Sequence, residues 1–238
     1  FNTEYVYKYN NPSAFNDYIY KVGDAWLMSA SYSTKGFGVI LSAKRIDNMS
    51  YKSKNNELNN VADINFIPPL TKQHTYNLQT IYPYATQLNG EVALQGEVIY
   101  TIPKKSKLGG KYGTKLSANY SLVHGLDKEP VDWIFDGSPR GTKGYTAELF
   151  SWGDLFFQDL NFTLSKKINK NWKLIFQYVN LTYNIAVIEG HPPSEYPVVH
   201  ASISVFDVTH KFSSRNSLRF EVQHLFTEQD RGDWVMAM

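Results

Sequence analysis

The sequence predicts an all-β chain: an antiparallel, up-and-down transmembrane β-barrel, of which this segment supplies about twelve strands. Three observations carry that expectation. Alternating apolar and polar segments recur from end to end, with no helix of ordinary length between them. Their connections alternate between tight turns and generally longer loops. In several segments a charge-free face is backed by a charged one, as expected of a strand that separates an apolar medium from water.

Phe1 to Tyr9 places Phe1, Thr3, Tyr5, Tyr7 and Tyr9 on one side, the period of two that a strand imposes. Asp24 to Ser33 and Phe37 to Ser50 flank the short turn Thr34 to Gly36. Asn60 to Ile67 and Gln73 to Tyr82 flank a second turn, Pro68 to Lys72, and the strand over Asn60 to Ile67 is needed to keep the later loops on one side. Gly90 to Ile102 and Gly113 to Val123 contain the two clearest alternations, joined by a Lys- and Gly-rich turn that belongs with the short, periplasmic set. Leu155 to Lys166 and Trp172 to Asn184 meet at Ile168 to Asn171, while Val199 to Phe212 and Ser217 to Thr227 meet at Ser213 to Asn216. A last strand starts at Trp234. Most of these segments are near or above the roughly 9 to 11 residues that a tilted strand needs to cross a bilayer. The longer connections include Asn10 to Gly23, His124 to Asp154 and Ile185 to Pro197.

Charge placement gives each strand a direction. The faces Val92 to Tyr100, Leu116 to Leu122, Leu160 to Leu164, Trp172 to Tyr178 and Leu218 to Val222 hold no Lys or Arg, either of which costs about 2 to 4 kcal/mol at the midplane of a bilayer. Val92, Leu94, Val98, Tyr100, Leu116, Ala118, Tyr120 and Leu122 are therefore expected toward lipid. The candidate lumen-facing residues are Glu91, Gln95, Glu97, Lys115, Ser117, Asn119, Ser121, Asp159, Asn161, Arg219, Glu221 and Gln223. They mix both signs with neutral hydrogen-bonding groups, so a water-filled or plugged lumen and cross-strand pairing inside a small barrel are both open readings. Aromatic residues near strand ends, among them Tyr32, Tyr82, Tyr100, Trp172 and Trp234, fit interfacial girdles. Tyrosine is also a good strand former anywhere.

Composition excludes several classes. No apolar run approaches the roughly 18 residues of a membrane helix, and charged residues are only 19 % of the 238. The net charge of +2 is small and its basic residues are dispersed, which argues against nucleic acid as a partner. Cysteine is absent, so disulfides, thiolate metal sites and a Cys nucleophile are excluded. The first residues lack a basic n-region and an apolar h-region. The expected organisation is a single β-barrel segment, 1–238, truncated at both ends.

Four strings are distinctive: Ala43-Lys-Arg-Ile-Asp-Asn-Met49, Leu70-Thr-Lys-Gln-His-Thr-Tyr76, Leu108-Gly-Gly-Lys-Tyr-Gly-Thr114 and Val222-Gln-His-Leu225. On these strings the chain resembles a family of Bacteroidetes outer-membrane β-barrel proteins of unassigned function, along its whole length. The resemblance implies a bacterial outer-membrane location and supplies no catalytic or binding residues.

Other chemistry is thinly signalled. The six histidines, His74, His124, His191, His200, His210 and His224, show no metal-ligand spacing. Gly109, Gly110 and Gly113 lack a phosphate-loop frame and suit a turn. Asp127, Glu129, Asp132 and Asp136 cluster in the longest loop with Trp133 and Phe135, so Asp127, Asp132, Trp133 and Asp136 are candidate loop contacts for calcium or a glycan. Paired carboxylates also serve glycoside hydrolysis at separations of roughly 5 to 9.5 Å, which sequence proximity does not fix. The expected function is a passive pore, transport component or surface scaffold without catalysis and without a cofactor. Membrane lipid is the expected partner, other outer-membrane or periplasmic proteins are candidate partners, and any small-molecule or glycan cargo is unspecified. The alternative is a soluble or surface-exposed glycan-binding β-sandwich, with Trp133, Trp152 and Tyr196 as candidate contacts.

Overall fold

The computed structural model describes residues 1–58, 61–131, 144–190, 197–230 and 232–238. Ten strands form one antiparallel sheet in which every strand pairs with its neighbours in chain order. They are β1 (Asn2–Lys8), β2 (Gly23–Thr34), β3 (Phe37–Asp47), β4 (Gly90–Ile102), β5 (Thr114–His124), β8 (Leu155–Lys167), β9 (Trp172–Asn184), β10 (Val198–Lys211), β11 (Ser217–Phe226) and β12 (Trp234–Ala237). A two-residue ribbon, β6 (Glu129–Pro130) with β7 (Tyr145–Thr146), lies in the β5–β8 connection. A single helical turn, α1 (Ile185–Ile188), follows β9, with the Asn184 side chain accepting from Val187 N. The sheet is open, with β1 and β12 at its two edges.

Two expected strands are absent. Of the first, the described residues 61–67 contribute an isolated bridge, Lys52 with Asp63, and 73–82 contain a 3₁₀ turn, Asn77–Thr80. Both belong to a single connection, residues 48–89, between β3 and β4. These residues alternate because they are extended, but Pro68, Pro69 and Pro83 lack the N–H that a ladder requires. Removing two strands together leaves the parity of the chain unchanged. The connections at residues 35–36, 103–113, 168–171 and 212–216 accordingly share one end of the sheet, and the remaining, generally longer ones share the other. At the first short turn Gly36 sits at φ +80, which glycine adopts without a side-chain clash.

The two faces differ in cover. Among the described residues, one is overlaid by residues 65–84 of the β3–β4 connection and the other is largely bare. All twelve candidate lumen-facing residues lie on the covered face, as the ladder rows Ser42–Gln95–Ser121–Asp159 and Ile40–Glu97–Asn119–Asn161 illustrate. The row Phe37–Tyr100–Leu116–Leu164–Phe176–Phe206–Val222–Ala237 crosses the bare face and is apolar throughout. On the bare face of the ten strands, Asp, Glu, Lys and Arg occur only at the rims: Asp24, Arg45 and Asp47 at the long-loop end and Lys166 at the short-turn end.

The apolar belt also shifts along the ladder. The row that begins at Leu41 passes through Gly96, Tyr120 and Leu160 and then meets Asn180 and Ser202 before Phe226. On the bare face of β10, His200, Ser202 and Ser204 precede Phe206 and Val208. Later strands meet the belt nearer the short turns, which is the stagger produced by strands tilted against a common axis.

Candidate functional site

The covered face is where this chain concentrates its chemistry. Residues 72–78 run across the strands rather than along one, and alternate residues reach strands progressively further across the sheet. Lys72 pairs with Glu97 of β4. His74 Nε2 lies 2.7 Å from Asp159 Oδ2 of β8, the Tyr76 hydroxyl donates to Asp207 Oδ2 of β10 at 2.9 Å, and Leu78 N donates to Gln223 Oε1 of β11 at 2.9 Å. Six residues of extended chain span about 20 Å, against about 24 Å for the five strand spacings from β4 to β11. The long Lys72 and Tyr76 side chains supply the remainder. We call this segment the strap.

Beyond the Asn77–Thr80 turn the chain doubles back. Tyr82 packs on Tyr183 at 5.3 Å between ring centroids and Tyr84 on Phe157 at 5.1 Å. Together with Tyr76 and Leu78 they cover Val179, Leu181, Val199, Ala201, Ile203, Val205 and Leu225, which form the core. The Tyr84 hydroxyl and Gln87 N both donate to Glu91 Oε2, at 2.5 and 2.6 Å. Lys44 Nζ lies 2.8 Å from Glu91 Oε1 with both side chains sealed from solvent, and it also donates to Pro68 O at 2.8 Å and Thr86 Oγ1 at 3.1 Å. A buried ion pair is tolerated only with such further hydrogen bonds.

Ten of the twelve candidate lumen-facing residues fall into three groups. Glu91, Glu97, Asp159 and Gln223 hold the β3–β4 connection. Gln95, Ser121, Asn119 and Asn161 join one another and Asp159: Gln95 Nε2 donates to Ser121 Oγ at 3.3 Å, Ser121 to Asn119 Oδ1 at 3.1 Å, and Asn161 Nδ2 to Asp159 Oδ1 at 3.0 Å. Arg219 gathers Asp207 at 2.9 Å and Glu221 at 2.5 Å, and Gln223 donates to Glu221. Lys115, exposed, and Ser117, half-buried, lie toward the short-turn end of the same face. Burial, and then the hydrogen bond and negative charge of Asp207, push the Tyr76 phenol up to about 12. Burial and Glu91 likewise raise Tyr84 well above the ordinary phenol range.

Lys44, Lys72, His74, Tyr76, Tyr84 and Asp207 complete the site without having been singled out for it. For Lys72, His74 and Tyr76 the signal was present in the distinctive string Leu70-Thr-Lys-Gln-His-Thr-Tyr76, which puts the three on one side of an extended chain. Chemically, His74 and Asp159 are a ring and its orienting carboxylate. A cavity of about 570 Å³ lies beside the strap, walled by Phe66, Thr71, His74, Gln79, Tyr84 and Phe157 among others. The described residues contain no group of three or more His, Asp or Glu placed to hold a metal ion.

The loop candidates fare differently. Asp127 is exposed, and its carbonyl lies 3.5 Å from Ser151 Oγ. Asp132, Trp133 and Asp136 lie outside the described residues, as do Phe135 and Tyr196.

No curated protein and no solved structure matches the chain. A family profile matches all of it, residues 1–238, and the chain belongs to that family, described as a family of unknown function (DUF6029).

Proposed function

We propose that this chain is part of a bacterial outer-membrane β-barrel whose interior is filled by its own β3–β4 connection, and that it serves as a surface scaffold or a plugged transport component rather than an open pore. The observation that carries the reading is the bare face. Tyr120, Leu160, Phe206 and Phe220 are exposed there to 40, 48, 46 and 52 %, on a surface whose charges are confined to the rims. Contiguous apolar surface on that scale marks a partner or a membrane. An open edge in lipid leaves backbone groups unpaired, so the proposal includes further strands, from this chain or another, that pair with β1 and β12. The strap and the Lys44–Glu91 pair occupy the side that would face the lumen, which favours a closed interior.

A glycan-binding sandwich requires a second sheet over the bare face, and the other sheet among the described residues is the two-residue β6–β7 ribbon. Fractionation tests the proposal. The full-length protein is expected with outer membranes and in solution only with detergent; recovery among soluble periplasmic proteins overturns it. In planar bilayers the intact protein is expected to stay closed, and a steady open conductance would replace the plugged reading with a passive pore.

A further inference from the structure

Resting on the membrane reading, we infer that the β7–β8 loop and the bare face of β2–β4 form a binding cleft for one acyl chain of a membrane lipid. The loop is built to overhang that face. At its start the Tyr145 hydroxyl donates to Asp47 Oδ1 at 2.6 Å and to Asn89 O at 3.1 Å. Its ring is flanked by Lys128 Nζ at 4.4 Å and Lys21 Nζ at 5.0 Å. At its end Gly153 N donates to Gly125 O at 2.9 Å, Gly125 N donates to Asp154 O at 2.9 Å, and Trp152 packs edge-on against His124 at 5.3 Å. Between these anchors the Ser151 side chain bonds back to Glu148 O at 3.0 Å, closing a turn whose tip is Leu149 and Phe150. Phe150 is 84 % exposed.

Beneath the tip lies a cleft of about 260 Å³. Its floor is Trp26, Met28, Ala43, Val92 and Leu94, and its roof is Leu149, Phe150 and Trp152. Lys44 and Arg45 are the charged residues in its wall. Lys44 is committed to Glu91 on the covered face, and Arg45 reaches Asp24 at 2.9 Å and Asp47 at 3.4 Å. Lys21 also pairs with Asp47, at 3.0 Å. The rim charges thus answer one another, and the cleft offers a carbon surface to a guest. It opens onto the apolar bare face, so hydrocarbon is the occupant that reaches it without crossing water. A loop held at both ends keeps its shape when empty, which lowers the ordering cost of binding.

The test uses the full-length protein in vesicles of phosphatidylcholine brominated on its acyl chains, then transferred to detergent. Tryptophan quenching is expected to persist after the transfer, to fall when Trp152→Phe removes the roof fluorophore, and to vanish in Ala43→Phe, which fills the cleft. Leu149→Ser with Phe150→Ser alters only the exposed tip and is expected to release the lipid without disturbing the fold. Quenching in vesicles that disappears at once in detergent, or that persists unchanged in Ala43→Phe and in the tip variant, overturns the cleft while leaving the membrane reading intact. Absence of quenching in the vesicles themselves overturns both.

Discussion

On one face of the sheet large apolar side chains stand in the open; on the other Glu91, Asp159 and Gln223 are fully sealed. A water-soluble domain has the reverse arrangement, with charges outside and hydrocarbon within. Along β4 and β8 the two patterns interleave residue by residue: Leu94 and Leu160 point to the bare side, Glu91 and Asp159 to the covered one. The difference teaches that a polar face is sustained here by a dedicated partner, the β3–β4 connection, while among the described residues the apolar face is left uncovered over most of its width.

Breaking the interior is expected to cost most. Glu91→Ala strands the buried Lys44 ammonium, and loss of one partner from such a pair is worth about 3 to 5 kcal/mol. Denaturant unfolding of the reconstituted protein should show that loss, and Lys44→Met combined with Glu91→Leu should recover much of it. An equal cost for the single and the double variant would show that the pair itself is not the cause. The exterior comes next. Leu160→Arg is expected to destabilise by about 2 to 4 kcal/mol in a bilayer, whereas Ser117→Arg, on the covered face, should have a far smaller effect. Equal costs at the two positions would remove the distinction between the faces.

Finer tests address the strap alone. Tyr76→Phe removes one hydrogen bond from Asp207, which keeps Arg219, so a loss of about 1 to 3 kcal/mol is expected, with faster amide exchange over residues 72–78. Unchanged exchange would mean that the strap is held elsewhere. The smallest effect is a pH dependence. Because the Tyr76 and Tyr84 phenols are raised in the folded chain, the stability they contribute is fully present below the ordinary phenol value of about 10. Above it the unfolded chain releases protons first, so stability should fall as pH climbs from about 10 toward 12. Phenolate absorbance compared with unfolding at each pH checks this, and two normally titrating tyrosines would contradict it.

Ladders were more legible than cover. Gly90 to Ile102 and Trp172 to Asn184 were readable to the residue because alternation, flanking turn residues and strand length agree there. The facing of Glu91, Asn119 and Asp159 followed from the same period of two. Residues 60–67 and 73–82 misled because alternation reports one side packed and one side free, whether or not a ladder exists. Lys72, His74 and Tyr76 alternate against carboxylates and amides of strands far along the chain, and no local pattern encodes those partners. The apolar covered face of β9 and β10 was illegible for a related reason: Val179, Leu181, Ile203 and Val205 need Tyr76, Leu78 and Tyr82 to cover them. Their chain neighbours on the other side include Asn180, Thr182, Ser202 and Ser204, so the local pattern there points the apolar side toward the wrong face.

The strap has a consequence for the order of assembly. Leu78 N meets Gln223 across 145 residues of chain, so its final hydrogen bond waits until β11 has been made and placed. Loop closure over such a distance carries an entropic cost that earlier, local hairpins do not bear. The hairpins can therefore form one after another while residues 72–78 remain undocked. Docking then registers that six strands stand in the correct sequence, making the strap a clasp that shuts only on a completed sheet.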